Sequence, residues 1–392
     1  MIGVISDDLT GAAELGAVGL RYGLPAEVVV TGEPSGKAEL VCMDTSSRSC
    51  PPEEAARRTA VAARSLKTAG ASWIYKKVDS VLRGHVTTEI EAVMKELGLN
   101  LALLVPANPL LGRVIRDGRY YVRGKPIHET EFALDPEYPR KSAAVKDLLS
   151  PSSSFRVQLL RWPAAMPESG IVIGEAGAPL DLQRWAASHT SRMVAAGGAE
   201  YFAALVAAAG HKAAKSRSQP DMAEHGEIQL FICGSASETT CSFAREAQAK
   251  GVPVFSLPES VGRGSRLSSE ETDALVTQAA TALISNKRAI LNVGLPVVSD
   301  KTLAARLLTE LGAVAERMLR SQKIAHVFAE GGSTAAELVR RMGWTRLQVL
   351  REEARGVVTL APEGAGDLLL TMKPGSYVWP AKWAPSGMTK SE

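Results

Sequence analysis

Cysteine is scarce in this chain of 392 residues, which contains only four. Cys42, Cys50, Cys233 and Cys241 form no Cys-x-x-Cys pair, so their spacing excludes a zinc ribbon and a disulfide framework. We therefore expect reduced thiols, most of them buried.

An excess of charge of one sign is also absent. Lysine and arginine number 45 against 42 aspartates and glutamates, a net charge of +3. That balance provides no field able to follow a phosphate backbone, so nucleic acid is excluded as a partner. Basic residues are instead interpreted singly, as local contacts to small anions.

Long hydrophobic runs are missing as well. No apolar stretch reaches the roughly 18 residues that a membrane span requires, and the N-terminus begins as a strand rather than as a basic leader. These observations predict a cytoplasmic protein without a membrane partner.

What is present along the whole chain is an alternation of short apolar runs and amphipathic segments, typical of α/β domains with mostly parallel sheets. Because the length exceeds what one core usually serves, we expect two such domains. A polar segment containing Pro220 is the best linker candidate. The predicted division is residues 1–211, a linker at 212–226 and residues 227–392.

The N-terminal segment is the most informative one, since an apolar strand runs directly into Asp7, Asp8, Thr10 and Gly11. A strand buried on both faces belongs inside an α/β sheet, and such sheets bind ligands beyond the carboxyl ends of their strands. Two adjacent carboxylates there require a cation, a proton or a hydroxylated ligand. The alternative is that Asp8 or Thr10 only caps the helix that opens near Gly11.

A second polar cluster, residues 75–84, also follows a strand. Arg83 suits a planar contact to a carboxylate or phosphate, and alternation along the strand favours Lys77 over Lys76 on the side shared with Asp79. The spacing of Thr88 and Glu91 predicts a capping box at the next helix start. The alternative is an ion-pair cluster on the surface.

Irregular segments rich in Pro, Asn, Arg and His follow the strand at 101–105. They contain Arg113 and His128, and long loops of this composition are typical of substrate walls. Histidine is a residue type able to take up or release a proton in catalysis, although a histidine in a loop is more often a scaffold residue.

Two glycine-containing loops join strands to helices in the second half. They are Gly234-Ser-Ala-Ser237 and Gly331-Gly-Ser-Thr334, the latter with Thr334 and Glu337 at capping-box spacing. Free amides at a helix N-terminus favour an anion, so with Gly375 these loops indicate a cradle for nucleotide phosphates. Neither loop is a Walker A motif or a dinucleotide fingerprint. Tight turns without a ligand are the alternative for either loop alone.

Together these segments resemble the four-carbon acid sugar kinase family, whose members phosphorylate threonate, erythronate or 3-oxo-tetronate. The matching pieces occur in family order over nearly the whole chain: Asp7–Ala12, Lys76–Gly84, Pro106–Pro109 with Gly112 and Arg113, His128–Ala133 with Asp135 and Pro136, Gly234–Ser237, Gly331–Thr334 and Lys373–Ser376. The chain departs from the family at Ser333-Thr334, where an acid and a hydroxyl residue are usual, and at Pro374 and Tyr377.

The resemblance implies a sugar-acid domain followed by an ATP-binding domain, with the active site in the cleft between them, and the use of ATP with Mg²⁺. The catalytic candidates are Asp8, Asp79 and Arg83. We prefer Asp8 over Asp7 for orienting the acceptor hydroxyl, because the turn at the end of the first strand frees its side chain to lead into the cleft. The candidates for substrate binding are Asp7, Thr10, Lys77, Ser80, Arg113 and His128. The candidates for nucleotide binding are Gly234, Ser235, Ser237, Gly331, Gly332, Ser333, Thr334 and Gly375.

Three matters stay open from the sequence. Metal ligands are unassigned, and a homodimer is one assembly the chain allows. The rivals to a kinase are a sugar-acid or nucleotide sensor without turnover, altered at the Lys373 loop, and another α/β enzyme such as a dehydrogenase. A product assay with Mg²⁺ and ATP separates sensor from kinase.

Overall fold

The computed structural model describes residues 1–135, 137–149, 154–213, 228–235, 238–295, 300–375 and 377–384. The chain divides into two compact units, residues 1–216 and 217–392. The predicted linker at 212–226 lies outside the described residues except for positions 212 and 213.

Unit 1 is built on an eight-stranded, wholly parallel sheet in the order β2-β3-β1-β4-β11-β5-β10-β9. A separate antiparallel sheet contains β6, β7 and β8. The strands of unit 1 are β1 Ile2–Ser6, β2 Ala26–Val29, β3 Leu40–Asp44, β4 Trp73–Lys77, β5 Leu101–Val105, β6 Arg113–Arg116, β7 Arg119–Val122, β8 Lys125–Pro126, β9 Val157–Leu160, β10 Gly170–Gly174 and β11 Met193–Gly197. Its helices are α1 Leu9–Arg21, α2 Pro52–Thr68, α3 Val86–Leu97, α4 Pro179–Ala187 and α5 Ala199–Ala208.

Unit 2 has a sheet in the order β13-β14-β12-β15-β18-β17-β16, parallel up to β18 and antiparallel for its last two pairs. Its strands are β12 Gln229–Cys233, β13 Val254–Ser256, β14 Arg288–Asn292, β15 His326–Glu330, β16 Arg346–Ala354, β17 Val357–Pro362 and β18 Leu369–Lys373. Its helices are α6 Glu238–Ala249, α7 Glu259–Gly262, α8 Ser269–Asn286, α9 Lys301–Ser321 and α10 Gly332–Met342. The α/β class with mostly parallel sheets is confirmed.

The cores of the two units differ in composition. In unit 1, strands such as β1 and β5 are buried along their whole length, as expected for parallel strands covered on both faces. In unit 2, Phe231 and Phe328 stack at 4.2 Å between ring centroids, and Trp379 meets both rings edge-on.

All four cysteines are free thiols, with Cys42 and Cys233 buried. In the described ranges, no helix combines the length and apolarity needed to cross a bilayer.

Two predicted capping boxes are wrong. Helix α3 begins at Val86, behind His85, so Thr88 lies inside the helix. Helix α10 begins at Gly332 behind Gly331, which makes Thr334 an internal residue as well. In both cases the local spacing was outweighed by tertiary contacts: Glu89 pairs with Lys76, and Thr334 faces the loop after β12.

Candidate active site

The carboxyl ends of three adjacent strands bring the polar residues of unit 1 together. Parallel pairing places Ser6 of β1 beside Asp44 of β3, and Ile5 of β1 beside Lys76 of β4. The loops that follow these strands therefore leave the sheet at one edge, where a parallel α/β sheet binds its ligands.

Arg48 joins the two aspartates that follow β1. Its Nε and Nη2 donate to the two oxygens of Asp7 at 2.7 and 2.9 Å, and its Nη1 lies 2.8 Å from Asp8 Oδ2. Burial alone would raise the pKa of Asp7, but the Arg48 guanidinium outweighs it, so the pKa is lowered. One arginine thus holds both carboxylates.

Asp8 caps a helix and is also partly exposed. Its Oδ1 accepts from the backbone N–H of Gly11 at 2.8 Å, so Asp8 is the N-cap of α1, a contact that does not exclude a further role. Its side chain is nevertheless 25% exposed, against 3% for Asp7. Asp8 is therefore the more accessible of the two carboxylates.

Asp79 and Arg83 form a second pair next to the first. Asp79 accepts from Nε and Nη2 of Arg83 at 3.0 and 2.8 Å, and Arg83 Nη1 lies 3.2 Å from Asp135. Although burial opposes it, the charges of Arg83 and Arg48 hold the pKa of Asp79 well below its ordinary value. The ion-pair cluster considered from the sequence is present, but it is largely buried and not on the surface.

Glycine at position 84 allows the two pairs to approach. Gly84 has φ +83°, and a Cβ there would lie 3.2 Å from Asp7 Oδ2 and 3.4 Å from Arg48 Cγ. The turn from Asp79 to Gly84 therefore packs directly on the Asp7–Arg48 pair.

The two lysines at the end of β4 have different partners. Lys76 is fully buried and its Nζ lies 2.9 Å from Glu89. Lys77 Nζ lies 3.4 Å from Glu14 and donates to the carbonyl of Val78 at 3.1 Å. Burial works against it, but Glu14, Asp8 and Asp7 raise the pKa of Lys77 overall, so its ammonium is charged.

The remaining residues predicted to bind substrate have other neighbours than the two aspartate–arginine clusters. Arg113 donates to the hydroxyl of Ser80 and lies over the ring of Phe132. His128 Nε2 is 3.7 Å from Glu129, so its charged neighbour is not a member of the aspartate clusters. Within the described residues, the buried Oγ1 of Thr10 has no hydrogen-bond partner.

Arg48 and Asp44 are members of this site that sequence reasoning missed. Asp44 accepts from the N–H and hydroxyl of Ser46 at 2.8 and 2.9 Å, yet burial together with Asp8 and Asp7 raises its pKa to about 7. The sequence feature that could have identified them is the polar run from Asp44 to Arg48, which follows a buried strand as the clusters after β1 and β4 do.

In unit 2, three loops converge at the carboxyl ends of β12, β15 and β18. A Cβ on Gly375 would lie 3.5 Å from Ser235 Cβ and Oγ and 3.9 Å from Gly331 Cα. A Cβ on Gly234 would lie 2.1 Å from Thr334 Oγ1. Gly331 has φ +98°, which favours glycine, and its N–H donates to the carbonyl of Lys373.

Most of the residues predicted to bind nucleotide lie where these three loops meet. Gly332 and Ser333 form the first turn of α10, where backbone N–H groups lack intrahelical acceptors. Gly234, Ser235, Gly331, Thr334 and Gly375 are neighbours. Ser237 lies outside the described residues.

Beneath these loops is a buried ion pair. Lys373 Nζ lies 2.8 Å from Glu330 Oε1, which also accepts from the hydroxyl of Thr240 at 2.6 Å. Burial lowers the pKa of Lys373, against the opposing charge of Glu330. Glu330 Oε2 is buried and lacks a hydrogen-bond partner in the described part of the chain. The pair ties β15, β18 and α6 together beneath the loops.

Metal-binding residues are not evident as a preformed cage. Among the described residues, no group of three His, Cys, Asp or Glu side chains could hold a metal ion. Mg²⁺ in phosphate-handling sites is commonly bound by one or two carboxylates and the phosphates of the substrate, so such a cage is unnecessary.

The two sites have complementary chemistry. Unit 1 presents carboxylates and guanidinium groups, which suit hydroxyls and a carboxylate of a small molecule. Unit 2 presents glycine loops and a helix N-terminus, which suit phosphates.

A family profile described as the sugar-binding N-terminal domain matches residues 2–239. The chain is 26% identical to a D-threonate kinase of Salmonella typhimurium, covering 95% of this chain and 94% of that protein. It is 33% identical to a D-erythronate kinase of Heliobacterium modesticaldum over 45% of this chain and 41% of that protein. A solved Haemophilus influenzae structure shares the fold, with a TM-score of 0.73, 21% identity and coverage of 99% of this chain and 100% of that one.

Proposed function

The chain belongs to the family of the sugar-binding N-terminal domain, and we propose that it is an ATP-dependent kinase that phosphorylates a four-carbon sugar acid. The observation that carries this proposal is the similarity to a D-threonate kinase along nearly the whole chain, because it includes both sites. The acceptor is threonate, erythronate or 3-oxo-tetronate.

In this proposal the two units divide the work. The Asp7–Arg48–Asp8 and Asp79–Arg83 clusters of unit 1 receive the sugar acid, and Asp8 orients the acceptor hydroxyl. The amides around Gly234, Gly331 and Gly332 receive the phosphates of ATP. Mg²⁺, when bound with ATP, would neutralise charge on the phosphates. Phosphoryl transfer requires mainly positioning and charge neutralisation, which these groups supply without a covalent intermediate.

The direct test is a product assay. The full chain is incubated with Mg²⁺, ATP and each of D-threonate, D-erythronate and 3-oxo-tetronate, and ADP release is coupled to an optical readout. Mass spectrometry should find an acid that has gained one phosphoryl group. ADP release that does not depend on the acid, or no phosphorylated acid from any of the three, would contradict the proposal.

Arg83→Lys tests the guanidinium in unit 1. The substitution keeps the charge but cannot reproduce the paired contacts to Asp79 together with the contact to Asp135. We expect kcat/KM for the sugar acid to fall about 10–100-fold, the scale of lost hydrogen bonds to charged groups, with KM for ATP little changed. Arg64→Lys, at an exposed pair with Glu96, is the control. Near-normal turnover would leave Arg83 as a structural ion-pair residue.

Gly234→Ala tests the loops in unit 2. The added Cβ would lie 2.1 Å from Thr334 Oγ1, so either the loop after β12 or the first turn of α10 must shift. We expect ATP affinity, measured by calorimetry, to fall at least about tenfold, while sugar-acid affinity is retained. The double variant Gly234→Ala/Thr334→Ala removes the clashing hydroxyl and should recover much of the loss. Unchanged ATP affinity in the single variant would place the nucleotide elsewhere.

A further inference from the structure

Arg140 is a buried arginine near the Asp79–Arg83 pair, and neither charged cluster of unit 1 accepts hydrogen bonds from its guanidinium group. Arg140 is 7% exposed, and its Nη1 donates to the carbonyl of Leu148 at 3.3 Å. Its Nε and Nη2 are also buried, and neither has a hydrogen-bond partner among the described residues. Unfilled donors on a buried charged group are costly, so a native structure rarely keeps them without a reason.

The charges around Arg140 belong to the site of unit 1. Burial lowers its pKa and the neighbouring Arg83 adds to this effect, whereas Asp79 and Asp135 oppose it. Both of those carboxylates already accept from Arg83. Asp79 and Asp135 thus balance part of the charge of Arg140 without filling its donors.

Backbone and side-chain contacts fix Arg140 next to that site. Its own N–H donates to the carbonyl of Phe132 at 3.0 Å. Two residues earlier, the hydroxyl of Tyr138 donates to the carbonyl of Arg48, and the N–H of Tyr138 donates to Asp135 Oδ1 at 2.7 Å. Arg140 is therefore held on a stretch of chain that contacts both charged clusters.

We propose that Arg140 binds the carboxylate of the sugar acid. Nε and Nη2 are the two donors on one edge of the planar guanidinium, and that edge matches the two oxygens of a carboxylate. The contact of Nη1 with the carbonyl of Leu148 holds the group in orientation, and no described residue accepts from the Nε/Nη2 edge. The inference rests on the proposed function, because it names the group that distinguishes an acid from a neutral sugar.

Access to this edge requires a local movement. Both donors are shielded from water, so the carboxylate reaches them only when side chains around Arg140 shift. The bound acid would then fill two donors that have no partner among the residues described. The hydroxyl end of the acid remains for the carboxylates that follow β1.

The test compares an acid with its uncharged amide, without nucleotide. Calorimetry measures binding of D-threonate, D-erythronate and the corresponding amides to the wild type, Arg140→Met and Arg140→Lys, with Arg64→Met as the control. We expect the wild type to prefer the acid, and Arg140→Met to lose about 10–100-fold in acid affinity with little change for the amide. Arg140→Lys, which keeps the charge without the fork, should fall between them.

The thermal midpoint of each variant separates binding from folding. A purely structural role predicts a lower Tm and equal weakening of acid and amide, and that result would overturn the inference. Unchanged acid affinity in Arg140→Met would overturn it too, even if the wild type phosphorylates threonate and the proposed function stands. Conversely, acid binding that depends on Arg140 without any phosphorylated product would support the inference and remove the kinase. Failure of the wild type to bind any of D-threonate, D-erythronate and 3-oxo-tetronate would remove both the inference and the proposed function.

Discussion

Asp8→Asn should lower the turnover of sugar acid by about 10²–10⁴-fold, the range typical for loss of a general base, with ATP affinity little changed. The fold should survive, because asparagine caps a helix about as well as aspartate and can still accept from the N–H of Gly11. Arg48 also retains its two contacts with Asp7. Steady-state kinetics with ATP and the acid varied separately measure the effect.

Asp7→Asn provides the contrast at the neighbouring position. Breaking the buried pair leaves Arg48 without its main counter-charge, so we expect a loss of stability on the scale of about 3–5 kcal/mol known for such pairs. Turnover should fall only as far as the site is distorted. Asp300→Asn makes the same change at the N-cap of α9 and is the control for the capping effect of Asp8→Asn.

The pattern across these variants decides the roles of the two aspartates. If Asp7→Asn reduces turnover more than Asp8→Asn while its Tm is preserved, the two roles are exchanged. If both variants remain active, the residues after β1 serve the helix start and the acceptor hydroxyl is oriented elsewhere, with Asp79 the next candidate.

The stability of unit 2 should fall steeply as the pH decreases below 6.5, because of one buried histidine. His326 is fully buried, stacks on Phe328 at 4.0 Å and contacts the hydroxyl of Thr371 through Nε2 at 2.7 Å. Desolvation lowers its pKa from 6.5 to about 3, although the charge of Glu353 opposes that shift.

A chain of hydrogen bonds fixes the tautomer of this histidine. Ionised Glu353 only accepts, so the hydroxyl of Thr359 donates to it at 2.7 Å, and Thr371 in turn donates to Thr359. The oxygen of Thr371 is then left to accept from His326 Nε2–H. Nδ1 consequently carries the lone pair, and within the described residues this buried atom has no partner. A proton added there would be an unpaired donor in an aromatic core.

The direction of the pH effect is set by these two pKa values. In the unfolded chain His326 takes up a proton near pH 6.5, whereas in the folded chain it does so only near pH 3. The stabilising contribution of neutral His326 is therefore fully present above pH 6.5 and is lost as the pH falls below it. The loss from this residue amounts to about 3 kcal/mol by pH 4. Urea unfolding followed by tryptophan fluorescence between pH 7.5 and 4 measures it.

His326→Gln keeps a donor for Thr371 but has no imidazole to titrate. We expect this variant to be less stable than the wild type at pH 7.5, with a shallower decline towards pH 4. His211→Gln, after α5 in unit 1, should retain the wild-type slope. Equal slopes for His326→Gln and the wild type would show that groups other than His326 cause the acid sensitivity.

The sequence by itself determined the α/β class and the positions of most strands. Apolar runs predict strands at 2–6, 101–105 and 228–232, which lie within one residue of the observed β1, β5 and β12, because burial on both faces demands continuous apolar residues. The same local logic identified the polar residues after β1, β4 and β12, since the loops that leave parallel strands emerge at one edge of the sheet.

Only the tertiary structure decided which of those residues meet. Arg48 reaches Asp7 and Asp8 from a different strand end, and Arg140 is placed beside Asp79 by contacts from its own loop to Phe132 and Arg48. No periodicity links residues so far apart in the chain, because pairing of charges depends on strand order and loop packing. Helix starts show the same limit: Thr334 has the spacing of a capping box, but close packing against Gly234 gives its hydroxyl a different neighbour.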